Sequence, residues 1–115
     1  MKKQLTMVLS FLLVSMFSFA QTKDSTLTEK IKVWGICDMC KTKIEKAAKA
    51  AGAATADWND ESKVLNVTYS ATKSNNKKIQ QKVADAGYDT QDLRATDAAF
   101  NKLPGCCKYD RKPQQ

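Results

Sequence analysis

Apolar and polar residues alternate between positions 27 and 33. Leu27, Ile31 and Val33 share one parity and Lys30 and Lys32 take the other, the period-two pattern of a half-buried strand, which ends near Gly35. From Cys40 the period lengthens. Cys40, Ile44, Ala47, Ala48 and Ala51 fall on a single helical stripe closed by Gly52. Asp38 stands in or just ahead of the first turn, where a carboxylate meets free amides and the positive end of the helix dipole. Ala54, Ala56 and Trp58 alternate again, residues 59–62 make a polar turn, and Leu65, Val67 and Tyr69 give the second arm of a hairpin. Residues 74–76 supply caps for a second helix whose buried stripe is Ile79, Val83 and Ala86 and which Gly87 stops. A short extended piece around Leu93 completes the order βαββαβ. That order predicts an α+β fold, a ferredoxin-like two-layer sandwich with both helices on one sheet face.

The two ends of the chain do not follow these periods. Residues 1–20 open with Lys2 and Lys3, continue through an apolar run from Leu5 to Phe19 and finish on Ser18-Phe19-Ala20, the layout of a cleaved signal peptide. Cleavage removes two lysines and no acid, so the formal net charge falls from +7 to +5. The run is shorter than the roughly 20 residues of a bilayer span, and Gln21, not cysteine, follows the cleavage point. The expectation is a periplasmic or secreted protein with no membrane insertion and no lipid anchor. Residues 21–27 are a polar, flexible lead-in, 28–95 the folded domain, and 96–115 a tail. In the tail, residues 97–103 form a brief helix before Pro104-Gly105 and Cys106-Cys107, and residues 108–112 face solvent. Basic residues are spread along the chain rather than clustered, which argues against nucleic-acid binding.

Export sets the conditions under which the four cysteines act. They come as two pairs, Cys37 with Cys40 and Cys106 with Cys107, and permit three disulfide pairings. Cys37 and Cys40 lie three positions apart at a strand-to-helix junction, where the helix end and its free amides favour thiolate over thiol. Gly35 permits the loop to bend so that both sulfurs face one ion. The chain contains no histidine, which excludes imidazole zinc sites, blue copper and histidine-based catalysis. Sulfur is the remaining soft ligand. Paired thiolates favour Cu(I), with Zn(II), Cd(II) and Hg(II) as competitors, and two ligands suit an ion that moves on better than a structural zinc that takes four.

These residues resemble the heavy-metal-associated domain, the module of copper chaperones, metal-pumping ATPase tails and periplasmic mercury-binding proteins. The likeness is carried by residues 33–40, the helix Cys40-Lys41-Thr42-Lys43-Ile44-Glu45-Lys46, the hairpin and Gly87-Tyr88-Asp89, and spans residues 28–95. It implies the ferredoxin-like fold, Cys37 and Cys40 as metal ligands, and exchange of the ion with a metal-transport or efflux protein. One departure is visible: Ile36 alone separates Gly35 from Cys37, where the family carries a methionine and a further residue, and Met39 lies between the cysteines instead.

Cys106 and Cys107 fall outside that module. The topology brings the loop at Gly87-Tyr88 to the same sheet end as the metal loop, and the brief tail helix runs back toward it. Cys106 or Cys107 is therefore expected as a third or fourth thiolate of the Cys37/Cys40 site, the alternative being a separate pair in disulfides or a clip of its own. Met39, Trp34 and Trp58 are expected to pack against apolar surface, Tyr88 to shield the ion or to fill the core, and Lys41, Lys43 and Lys46 to form a solvated helix face. The function expected is metal capture and delivery or sequestration, not catalysis. The competing function is a thiol-disulfide oxidoreductase using Cys37 and Cys40, against which stands the placement of both prolines, Pro104 and Pro113, in the tail.

Overall fold

The computed structural model describes residues 25–113. The expected signal peptide, residues 1–20, and residues 21–24 of the lead-in lie outside them. The elements run β1 (Thr26–Lys32), α1 (Asp38–Ala50), β2 (Ala53–Trp58), β3 (Val64–Ser70), α2 (Asn76–Asp85) and α3 (Asp97–Asn101), followed by a 3-10 turn at Gly105–Cys107. The described strands form one antiparallel sheet in the order β1-β3-β2. Ile31 and Trp58 both pair with Leu65 at the end of the sheet next to the loop that carries Cys37. Ile31, Leu65 and Val67 from the sheet and Ile44, Ala48, Ile79 and Val83 from the helices make the core, so the two layers are those the periodicity predicts. None of the described helices is long and apolar enough to cross a membrane.

The helix ends follow the chemistry of their caps. Asn75 accepts a hydrogen bond from the Lys78 amide at 2.8 Å and starts α2. Gly87 ends it at φ +108°, and a Cβ there would stand 2.9 Å from the Ala99 carbonyl, so the position needs glycine both for its backbone and for the closeness of α3. In β2 the pairing slips between Ala53 and Thr55. The extra residue reverses the parity, so Ala53 and Trp58 are buried while Ala54 is exposed.

Two tail-side expectations are corrected. The extended piece near Leu93 is not a strand: β-pairing there consists of one bridge, Val33 with Thr90, made by Trp34 N–H to the Asp89 carbonyl and Gln91 N–H to the Lys32 carbonyl, each 2.9 Å. The chain then turns, with Thr90 N–H bonded to the Leu93 carbonyl at 2.8 Å. Buried Gln80 holds this turn by accepting from the Thr90 hydroxyl at 2.7 Å and the Asp92 amide at 3.0 Å, which diverts the backbone from a ladder. Residues 108–112, expected in solvent, are anchored. Tyr109 is 4% exposed, stacks on Tyr88 and meets the edge of Phe100, and Arg111 pairs with the buried carboxylate of Asp89. The ring gains by leaving water, and a buried carboxylate requires a cation.

Candidate metal centre

β1 leads into an extended stretch that crosses beneath the Trp58 ring and delivers Cys37 to the N-cap of α1. Trp58 Nε1–H donates to the Val33 carbonyl at 2.9 Å and fixes this approach. Cys37 is half-buried and Cys40, one turn into the helix, is fully buried. Their sulfurs stand 3.8 Å apart and are not joined; all four cysteines are free thiols. Cys107, at the end of the 3-10 turn and also fully buried, brings a third sulfur, so that the Sγ atoms of Cys37, Cys40 and Cys107 all lie within 4.8 Å of one another.

The surroundings place the charge. Burial pushes the Cys40 thiol up, but hydrogen bonds from the backbone at Cys37 and Ile36 and from the side chains of Cys107 and Tyr88 outweigh it, and the pKa falls below the ordinary thiol value. The helix start adds to the same preference. Cys107 is pushed up to about 12, first by burial and then by hydrogen bonding to Cys40 and the charge there. Of the two thiols, Cys40 is therefore the easier to ionise and Cys107 the harder. Tyr88 is fully buried beside them. Burial first, then the Cys40 sulfur and hydrogen bonding to the Cys107 and Cys40 sulfurs, raise its pKa. Tyr88 is therefore a core residue that also lines the pocket.

Of the four cysteines singled out in the sequence, the structure brings three together and leaves one out. The sulfur of Cys106 is exposed and lies 3.7 Å from Met39 Sδ, while its backbone carbonyl accepts from Cys37 Sγ at 3.5 Å. Met39, expected to cover apolar surface, is 48% exposed, and Ile36 beside it is 44% exposed. Lys41, its side chain still more than a third exposed, is tied down by bonds to Glu45, to Asp57 at 2.6 Å and to the Trp58 carbonyl at 3.0 Å. Pro104 and Pro113 are exposed. Tyr109 and Arg111, which hold the segment carrying Cys107, escape a reading by motif. Their signal is the alternation of Cys107, Tyr109 and Arg111 with Lys108, Asp110 and Lys112, the inward parity of an extended segment.

Comparison with protein-family models and with curated proteins finds no match. Solved structures do match. The chain is 30% identical to a CopZ metallochaperone with a TM-score of 0.53, covering 56% of this chain and 98% of that one. It is 29% identical to oxidized MerP from Ralstonia metallidurans CH34, TM-score 0.55, over 58% of this chain and 96% of that one. It is also 27% identical to the water-soluble region of the P-type ATPase CopA from Bacillus subtilis, TM-score 0.54, over 59% of this chain and 46% of that longer one.

Proposed function

Because the chain belongs to the heavy-metal-associated domain family, we propose that it captures a soft metal ion through Cys37 and Cys40 and delivers it to, or withholds it from, a second protein. The observation that carries this reading is the pair of unjoined sulfurs 3.8 Å apart at the start of α1, with the pKa of Cys40 lowered below the ordinary thiol value. Thiolate is the metal-binding form of cysteine. With no histidine in the chain, the donor set is sulfur, which selects Cu(I) first and leaves Zn(II), Cd(II) and Hg(II) as competitors. Similarity to a metallochaperone and to the water-soluble region of a P-type ATPase supports a transporter carrying a related domain as the partner. The leader in residues 1–20 supports action in the periplasm or outside the cell. The protein is a carrier in this reading, not an enzyme.

Titration of the reduced protein with Cu(I), Zn(II) and Hg(II), with stoichiometry followed by mass spectrometry, tests the proposal. The expected result is one Cu(I) per chain, weakened at least about tenfold when either Cys37 or Cys40 is changed to serine. Disulfide reduction by Cys37 and Cys40 without metal uptake would establish the oxidoreductase instead.

A further inference from the structure

On the basis of the metal-carrier reading, we infer that Cys107 is a third sulfur ligand beside Cys37 and Cys40, and that a clasp formed by Asp89, Tyr109 and Arg111 holds it there. The site then takes an ion that accepts three thiolates, and residues that never touch the metal set its coordination number.

The sulfur spacing points to three ligands. At a metal–sulfur bond of about 2.3 Å, two sulfurs on opposite sides of an ion stand about 4.6 Å apart, whereas three around one ion stand about 4.0 Å apart. Cys37 and Cys40 are at 3.8 Å, a contact distance that leaves room for a further sulfur around one ion rather than the two-ligand span. Cys107 already lies within 4.8 Å of both, so a movement of under about 1 Å closes the triangle. Each thiol still protonated releases its proton to solvent as its sulfur bonds the ion. No electrons are transferred and no other covalent bond breaks.

The clasp accounts for the position of Cys107. The Tyr109 hydroxyl accepts from the Asp89 amide and donates to the Gly87 carbonyl, both at 2.8 Å, in a fully enclosed setting. Arg111 grips both oxygens of Asp89, Nη2 to Oδ1 at 2.8 Å and Nε to Oδ2 at 3.1 Å, a fork that a carboxylate matches. The Lys112 amide adds a bond to Oδ2 at 3.2 Å. Cys107 stands two residues before Tyr109, so the clasp restrains its sulfur to the neighbourhood of Cys37 and Cys40. The same geometry turns the neighbouring sulfur outward, so adjacent cysteines take different roles: Cys107 faces the ion and Cys106 faces solvent beside Met39.

The test loads the reduced full-length chain with Cu(I) under anaerobic conditions. Sulfur ligands are counted by X-ray absorption, and affinity is measured by competition with a chromophoric Cu(I) chelator. The wild type should show three sulfurs. Cys107→Ser should show two, with affinity lowered about tenfold or more, and Cys106→Ser should match the wild type. Tyr109→Phe, which keeps every cysteine, should lose part of the third sulfur signal and weaken Cu(I) about tenfold, as removal of a group that orients a ligand does. A change in sulfur count separates positioning from loss of stability alone. Two sulfurs in the wild type, or an unchanged count and affinity in Cys107→Ser, overturns the third ligand. An unchanged Tyr109→Phe overturns the clasp. Full retention of Cu(I) when Cys37 and Cys40 are both serine overturns the carrier reading itself, a different result from Cu(I) held by two sulfurs.

Discussion

At Gly35 the chain passes so close to the core that a Cβ would stand 3.0 Å from two ring atoms of Trp58 and 3.2 Å from Ile44 Cδ1. Neither neighbour can retreat easily, since Trp58 is fixed by its bond to Val33 and Ile44 is fully buried. The sequence suggests that glycine serves a bend; the structure assigns it to close approach. Gly35→Ala should therefore cost about 1–3 kcal/mol, the usual penalty for adding a methyl to a packed interior. The strain sits two residues from Cys37, so the metal loop should shift with it. Urea denaturation measures the loss, and the Cys37 and Cys40 chemical shifts report the displacement. A variant as stable as the wild type with unmoved shifts would mean that Trp58 gives way freely.

At the scale of elements, the Asp89–Arg111 pair ties the start of the turn at 89–93 to the tail. Asp89 has no exposed surface. Burial raises its pKa, but hydrogen bonds from Arg111 and from the amides of Ala95 and Lys112, with the charge of Arg111, hold it below the ordinary carboxylate value. A group depressed in this way contributes stability that is complete above its unfolded-state pKa, about 3.9, and is lost as pH falls through the lower folded-state value. Stability should thus be flat above pH about 5 from this source and fall below about 4. Asp89→Asn should flatten that acid limb. Arg111→Gln should cost about 3 kcal/mol at neutral pH, because it leaves the buried carboxylate with backbone amides and the more distant Arg94, at 4.0 Å, as its partners. Denaturation at a series of pH values checks both, and an acid limb unchanged in Asp89→Asn would assign it to other carboxylates. Apart from β2, the elements up to Gly87 are legible in the sequence because their stripes follow one period each. Beyond it the reading weakens for physical reasons: Gln80, a polar residue on a helix face, organises the turn that replaces the last strand. One extra residue in β2 hides behind a run of alanines, and Arg111 reads as a surface charge until its buried partner is known.

Across the whole molecule, the tail and the loop carrying Cys37 are far apart in sequence and meet in one pocket, so the proposed ligand set links folding of the tail to binding of the ion. If Cys107 bonds the ion, the factor by which an open tail weakens Cu(I) equals the factor by which Cu(I) suppresses opening of the tail. A loss of about tenfold in affinity on removing Cys107 therefore predicts about tenfold slower hydrogen exchange in the tail when Cu(I) is bound. The amides to watch are those of Cys107, Lys108 and Tyr109. They bond to the carbonyls of Pro104 at 2.8 Å, Gly105 at 3.2 Å and Cys107 at 2.9 Å, and must open with the 3-10 turn. Amides in the first turns of α1 should slow in the wild type and in Cys107→Ser alike, since the proposed site keeps Cys37 and Cys40 in both. The tail amides should slow in the wild type alone. Equal protection of the tail in both proteins would mean that the ion steadies the segment through general packing, and the coupling through sulfur would fall.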